Sequence, residues 1–97
     1  MRRLQRAFGA DRKEQSNTLA IHPGEFLRED FLIPLQMTAR MLADEIKVPE
    51  QRLVAIVEER RGLDADLCLR LARYFRMSPE FWMNMQRAYD LRLAMKD

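Results

Sequence analysis

Helix-start signals recur at short intervals along this 97-residue chain, and they constrain its fold more than any other sequence feature. Pro23 suits the first turn of a helix, and Thr38 and Asp64 are residues that cap helix N-termini well. Ser78-Pro79-Glu80 places a cap, a first-turn proline and an acidic residue in order. No segment shows the sustained apolar–polar alternation of a strand. The sequence therefore predicts an all-α fold.

Each start signal is followed by apolar residues three and four positions apart, which is the spacing of a buried helix face. Pro34 is expected to end or kink the first helix before Leu35. Lys47-Val48 is expected to turn the chain before a helix that starts at Pro49, and Gly62 to break it again. The pattern predicts a compact bundle of five helices, the last running to about Met95. Its expected inward residues are Leu27, Phe31, Leu42, Ala43, Ile46, Leu53, Ile56, Val57, Cys68, Leu71, Ala72, Phe75, Phe81, Trp82, Met85 and Tyr89.

Size and composition favour a soluble intracellular domain without a cofactor. Ninety-seven residues can bury a core without disulfides or metal, and 47% of them are hydrophobic. No apolar run approaches the roughly 18 residues of a membrane span, and no secretory signal is recognisable. Cys68 and His22 are the only residues of their kinds, which argues against metal or nucleophile chemistry and fits a reducing cytoplasm. No enzyme activity, metal or cofactor is expected.

The net positive charge of the chain is concentrated at the N-terminus rather than in the helical part. Residues 1–20 carry five basic and two acidic side chains, a net of +3, and the remaining twelve basic and thirteen acidic side chains give −1. We expect a partly disordered basic arm at 1–20 and a folded domain at 21–97. The arm could be a solvated tail, or it could meet DNA phosphates or a protein partner. Charge alone does not indicate nucleic acid.

The stretch from Thr38 to Glu58 has the form of a helix-turn-helix, two short helices separated by a tight turn. In this motif the N-terminal residues of the second helix meet base edges in the major groove. Gln51 could pair with adenine, Arg52 with guanine or a phosphate, and Glu50 with cytosine. Each could instead be a solvated side chain, and Glu50 could simply stabilise the start of its helix.

Phosphate contacts are predicted on both sides of this reading helix. Thr38 and the amides near it could hold a phosphate at a helix N-terminus. Arg40, Arg60 and Arg61 are further candidates, although charge pairs are commonly solvated. Residues 38–61 hold five basic and five acidic groups, with Glu58-Glu59 close to where the DNA backbone should run. The neutral surface predicts modest monomer affinity, so tight binding would need two half-sites or the basic arm.

Three blocks in order resemble the HigA/VapI family of helix-turn-helix regulators, over residues 22 to about 93. His22-Pro23-Gly24-Glu25-Phe26-Leu27-Arg28-Glu29 is similar to the family's entry to its first helix, and the run from Asp66 to Phe75 to its fourth. The run from Ser78 to Gln86, followed by Ala88-Tyr89-Asp90-Leu91, is similar to its last helix. The resemblance implies a lambda-repressor-like five-helix bundle. It also implies reading positions at Glu50, Gln51, Arg52 and Ala55.

The same resemblance implies an antitoxin that represses its own operon and binds a RelE-like or HigB-like ribonuclease toxin. Such a homodimer would place its reading helices on a palindromic double-stranded operator. Two departures affect the expected DNA surface: Lys47 stands where the family usually has a turn glycine, and Glu58-Glu59 replaces its usual Asn-Gly. A left-handed lysine would cost about 1 kcal/mol. In the family motif, His22 is expected to cap or pack rather than ligate.

Leu91, Leu93 and Met95 exceed what one small core can use, and they indicate either a dimer interface or a frayed tail. Two alternatives to the antitoxin remain open from the sequence. One is a solitary regulator of the same fold without a toxin. The other is a protein-interaction module whose helix-turn-helix has lost DNA binding, which the neutral surface would suit.

Overall fold

Five helices, and no strand, form the part of the chain that the computed structural model describes, residues 20–96. The arm predicted at 1–20 lies outside the described residues apart from its last residue. Helix α1 spans residues 23–35, and the others are α2 (Ala39–Ile46), α3 (Glu50–Val57), α4 (Ala65–Phe75) and α5 (Pro79–Lys96). The predicted all-α class and helix count are confirmed. None of these helices combines the length and hydropathy that crossing a membrane requires.

The helix starts follow the predicted caps. Thr38, Asp64 and Ser78 each accept a hydrogen bond from the backbone N–H three residues later, at 3.0, 2.9 and 3.1 Å. Each bond satisfies one of the N–H groups that a helix leaves unpaired at its start. Pro49 forms the N-cap of α3, so that helix begins one residue later than predicted.

Pro34 does not end α1 before Leu35 as predicted, because the helix continues one residue beyond it and ends at Leu35. The helix is α-helical over Pro23–Leu27, widens to a π-helical turn over Arg28–Leu32 and closes again over Ile33–Leu35. In the wide turn the N–H of Ile33 bonds to the carbonyl of Arg28, five residues back. Proline lacks an N–H and clashes with the carbonyl four residues earlier in a regular helix. The widened register accommodates the ring, and the helix stops only at Gln36, which is left-handed.

An aromatic cluster joins α1, α4 and α5 in the core. Trp82 is fully buried, with ring centroids of Phe26, Phe81 and Phe31 at 5.6, 5.7 and 5.9 Å. Phe31 also stacks on Phe75 of α4 at 4.3 Å. These separations are those of favourable aromatic pairs, and rings of this size dominate the burial energy of a small core. Trp82 is thus a core anchor, as the sequence suggested, and Phe81 is partly buried and packs against it.

Gly24 sets the distance between α1 and α3. A Cβ atom on this residue would lie 1.7 Å from the carbonyl oxygen of Ile56, so only glycine allows the two backbones to approach this closely. Ile56 is itself buried on the inner face of α3. The second helix of the helix-turn-helix therefore rests directly on the start of α1, which leaves its other face available.

Candidate nucleic-acid interface

The helix-turn-helix predicted at 38–58 is formed by α2 and α3, which pack against each other across a tight turn. Lys47 ends α2 in the left-handed conformation, with φ 64° and ψ 48°, and its N–H bonds to the carbonyl of Ala43. Val48 then turns inward and is buried, its N–H bonding to the same carbonyl at 3.0 Å. Lys47 thus has the left-handed backbone that glycine usually adopts in this turn of the family, and this conformation costs lysine about 1 kcal/mol.

The predicted base-reading residues divide into three environments. Glu50 and Gln51 are exposed in the first turn of α3, where a groove-reading helix needs its side chains. Arg52 is only partly exposed, because its side chain turns towards α4. Ala55 is 5% exposed and packs into the protein, so it does not share the outer surface of Glu50 and Gln51. The family pattern placed Ala55 among the reading positions, but burial in this chain sets it apart from them.

Arg52 forms ion pairs with two carboxylates at the start of α4. Its Nη2 lies 2.5 Å from Asp64 Oδ2, and its Nη1 lies 3.7 Å from Asp66 Oδ2. The backbone hydrogen bond from Leu67, together with the charge of Arg52, lowers the pKa of Asp64 from its ordinary value of 3.8. These contacts join residues twelve and fourteen positions apart, and no local sequence pattern indicates them.

The phosphate candidates lie at two places. Thr38 and Arg40 are exposed at the start of α2. Arg60 and Arg61 are exposed just beyond α3, where their N–H groups bond to the carbonyl of Ala55 at 2.8 and 3.3 Å. Arg60 and Arg61 thus sit at the opposite end of α3 from Gln51, about 12 Å away along an eight-residue helix.

The two glutamates beyond α3 are both neutralised by arginines. Glu58 pairs with Arg60 at 2.9 Å, and Glu59 pairs with Arg28 of α1 at 3.2 Å. Arg28 also donates from Nη1 to the carbonyl of Val57 at 2.5 Å, which caps the C-terminal end of α3. Sequence reasoning assigned no role to Arg28. The expected repulsion between this turn and a DNA backbone is therefore smaller than the sequence implied.

Comparison with known proteins assigns the chain to a family, although no protein-family model matches it. It is 50% identical over 78 residues to virulence-associated protein I of Dichelobacter nodosus, covering 80% of this chain and 72% of that protein. The chain belongs to the HigA/VapI family of helix-turn-helix antitoxins. The solved structure of Pseudomonas aeruginosa antitoxin HigA with the higBA promoter is 45% identical, with a TM-score of 0.76 over 77% of this chain and 82% of that one. An HTH-type transcriptional regulator of Escherichia coli, YbaQ, is 33% identical over 69 residues, 71% of this chain and 61% of that protein.

His22 opens the HigA/VapI motif and caps α1, as expected from the family. Its Nδ1 accepts a hydrogen bond from the N–H of Gly24 at 2.8 Å, and its ring meets the Tyr89 ring edge-on at 4.8 Å. The residue is 4% exposed. Burial lowers the pKa of His22 below the ordinary 6.5, against the opposing charges of Glu59 and Asp90. The neutral imidazole is the form that accepts from Gly24.

Glu58-Glu59, which replaces the family's usual Asn-Gly, also affects the backbone conformation after α3. Glu59 takes the place of the usual glycine and has a left-handed backbone, with φ 64°. A glycine would adopt this conformation without strain, whereas glutamate pays about 1 kcal/mol. The side chain of Glu59 partly offsets this cost through its pair with Arg28.

Leu91, Leu93 and Met95, predicted at a dimer interface, are exposed to 58%, 50% and 69% near the end of α5. Leu91 and Met95 are four residues apart and share one face, whereas Leu93 points about 200° round the helix from Leu91. One flat contact therefore cannot cover all three. Cys68, by contrast, is buried in α4, and burial raises the pKa of its thiol to about 11. Among residues 20–96, no cluster of histidine, cysteine and carboxylate side chains could hold a metal ion.

Proposed function

We propose that this chain is a homodimeric DNA-binding repressor of its own operon and the antitoxin of a type II toxin–antitoxin module. The observation that carries the proposal is the helix-turn-helix formed by α2 and α3, in a chain that is 45% identical to an antitoxin solved with its promoter DNA. The exposed start of α3 and the neutralised glutamates beyond it fit a surface that approaches DNA. In such a dimer, two copies of α3 would enter successive major grooves of a palindromic operator.

Base recognition would come from the exposed first turn of α3. Gln51 can donate to and accept from the edge of adenine, and Glu50 can accept from cytosine. Arg52 would address guanine or a phosphate. Ala55 is left out of the proposed set because it is buried.

Phosphate contacts would flank this turn. Thr38 and Arg40 would meet one stretch of backbone at the start of α2, and Arg60 and Arg61 another beyond α3. Because Arg60 forms an ion pair with Glu58, it would contribute less to phosphate binding than an unpaired arginine would. We expect modest affinity per monomer and a clear dependence on salt.

Binding to the promoter DNA of the operon that contains the chain's own gene tests the DNA-binding half of the proposal. Gln51→Ala should weaken binding to this promoter fragment by roughly tenfold relative to a scrambled duplex. Asn84→Ala, which removes an exposed amide on α5, is the matched control and should bind like the wild type. Equal affinity of the wild type for both duplexes, with a flat salt dependence, would instead favour an interaction module that has lost DNA binding.

Toxin neutralisation would use a separate protein surface and needs its own test. A gene of about a hundred codons beside this one should encode a RelE-like or HigB-like ribonuclease. Co-expression should yield a stable complex that relieves the growth arrest caused by that ribonuclease alone. The E. coli relative is a transcriptional regulator by name and not an antitoxin, which favours a second candidate function, a solitary repressor without a toxin. Specific promoter binding without any toxin gene nearby would support that candidate and overturn the antitoxin.

A further inference from the structure

Arg52 is oriented, and not only neutralised, by the start of α4. Two different nitrogens of its guanidinium face two different carboxylates, Nη2 towards Asp64 at 2.5 Å and Nη1 towards Asp66 at 3.7 Å. A guanidinium is a rigid planar fork, so two such partners restrict its direction as well as its position. The side chain keeps 30% of its surface exposed, which leaves part of the fork accessible.

The two carboxylates are themselves held in place. Asp64 is the N-cap of α4, its Oδ1 accepting from the N–H of Leu67 at 2.9 Å. Asp66 Oδ2 accepts from Arg70 Nε at 3.0 Å, and Arg70 Nη1 donates to the carbonyl of Ile46 at 2.8 Å. Ile46 is the last residue of α2. An unbroken chain of contacts thus runs from α3 through α4 to the end of α2, next to the turn of the helix-turn-helix.

These contacts add little to folding, since ion pairs at exposed side chains stabilise a protein by at most about 1 kcal/mol. Their main effect is to fix the direction of an arginine in the first turn of the reading helix. We propose that Asp64 and Asp66 are positioning residues that aim Arg52 at a base edge in the operator, so that α4 sets part of the sequence specificity. This inference rests on the DNA-binding function proposed above.

Asp64 and Asp66 could instead hinder DNA binding, because carboxylates beside a DNA surface can compete with phosphates for Arg52. The two roles predict opposite signs. If the carboxylates compete, removing one strengthens binding to every duplex. If they position Arg52, removing one weakens binding to the operator while binding to unrelated DNA stays equal or tightens. Oriented contact with guanine is the specific interaction that would be lost.

Asp66→Asn is the decisive variant, because Asp66 takes no part in capping α4. Fluorescence anisotropy with the promoter fragment and a scrambled duplex of equal length would compare the wild type, Asp66→Asn, Arg52→Ala and the double variant. We expect Asp66→Asn to lower the ratio of specific to non-specific affinity by roughly three- to tenfold. The same change in the Arg52→Ala background should have no effect on this ratio, because the side chain to be positioned is gone.

Two controls keep the outcomes distinct. Asp44→Asn removes an exposed carboxylate of α2 outside this network and should tighten binding to both duplexes slightly. Arg52→Lys keeps the charge without the fork and should lose specificity as Asp66→Asn does. The inference is overturned if Asp66→Asn tightens operator binding as Asp44→Asn does, or if it acts equally without Arg52. If the wild type does not distinguish the two duplexes, the proposed function itself fails, and the inference with it.

Discussion

Of the two glycines in residues 20–96, Gly24 is the one at which an added Cβ is expected to destabilise the protein more. Its Cβ would lie 1.7 Å from the Ile56 oxygen and 2.7 Å from the Ile56 carbonyl carbon, both backbone atoms that cannot rotate away. Gly24→Ala should therefore lower the free energy of unfolding by about 3 kcal/mol, despite the better helix propensity of alanine. Urea unfolding followed by circular dichroism measures the loss.

Gly62→Ala provides a matched glycine-to-alanine control. There the new Cβ would meet the end of the flexible Gln86 side chain at 2.7 Å, and that amide can shift. Because Gln86 Oε1 accepts from the N–H of Leu63 at 2.7 Å, some loss is still expected, but a smaller one. Equal stability of the two variants would refute the close approach of α1 and α3.

His22 should make stability depend on pH in the range where histidine titrates. Its pKa is lowered in the folded protein by burial, so the unfolded chain binds the proton first as pH falls. The contribution is complete above about pH 6.5 and is lost as pH drops through the lower folded pKa. The free energy of unfolding should decline below pH 6.5 by at most about 1.4 kcal/mol per pH unit.

His22→Asn isolates this contribution, because asparagine can accept from the Gly24 N–H without titrating. His22 is the only histidine in the chain, so the variant should be nearly flat between pH 7.5 and 5.5. Chemical denaturation at several pH values compares the two proteins. Parallel curves for the wild type and the variant would show that the imidazole is not buried in its neutral form.

At the scale of elements, three helices end in the left-handed conformation without glycine. Gln36, Lys47 and Arg76 follow α1, α2 and α4 with φ of 57°, 64° and 59°. Arg76→Gly should raise the free energy of unfolding by about 0.5–1 kcal/mol, because glycine adopts this conformation without a steric penalty. Arg76 suits the test because it lies outside the proposed DNA surface, and thermal unfolding measures the change.

The control for this prediction lies three residues earlier on the same helix. Arg73 is exposed within α4, where glycine is unfavourable, so Arg73→Gly should lower stability by about 1 kcal/mol. A gain in the free energy of unfolding for Arg76→Gly and a loss for Arg73→Gly would establish that α4 ends in the left-handed conformation at Arg76. Loss of stability in both variants would contradict it.

At the scale of the whole molecule, the proposed homodimer depends on the exposed end of α5. Leu91 and Met95 share one face, so the double variant Leu91→Glu/Met95→Glu should sediment as a folded monomer. Losing simultaneous contact with two half-sites should weaken promoter binding by about 100-fold or more. Analytical ultracentrifugation and anisotropy measure the two effects.

Ile33→Glu is the comparison variant, since Ile33 is exposed to 58%, as much as Leu91, but lies on α1. It should leave the sedimentation coefficient unchanged. Dissociation by Ile33→Glu, with the α5 variant still dimeric, would move the interface to the end of α1. Leu93→Glu tests separately whether the opposite face of α5 contributes.

The sequence by itself determined the helices and their order, because the signals involved are local. Caps at Thr38, Asp64 and Ser78 act on N–H groups three residues away, and apolar spacing of three and four follows from the helix period. Pro34 shows the limit of such local rules. A proline ends or kinks a regular helix, but a π-helical turn before it removed the conflict, and α1 continued to Leu35.

Only the tertiary structure decided which side chains of the helix-turn-helix are available for DNA. Ala55 matches a family reading position yet is buried, and Arg52 is engaged by Asp64 and Asp66 from another helix. Glu59 is likewise paired with Arg28, thirty-one residues away, which reduces the negative charge that it would present to DNA. Ion pairs of this kind arise from the packing angle between helices, which no local spacing encodes. The sequence could therefore locate the candidate surface, while the fold determined how its charges are arranged.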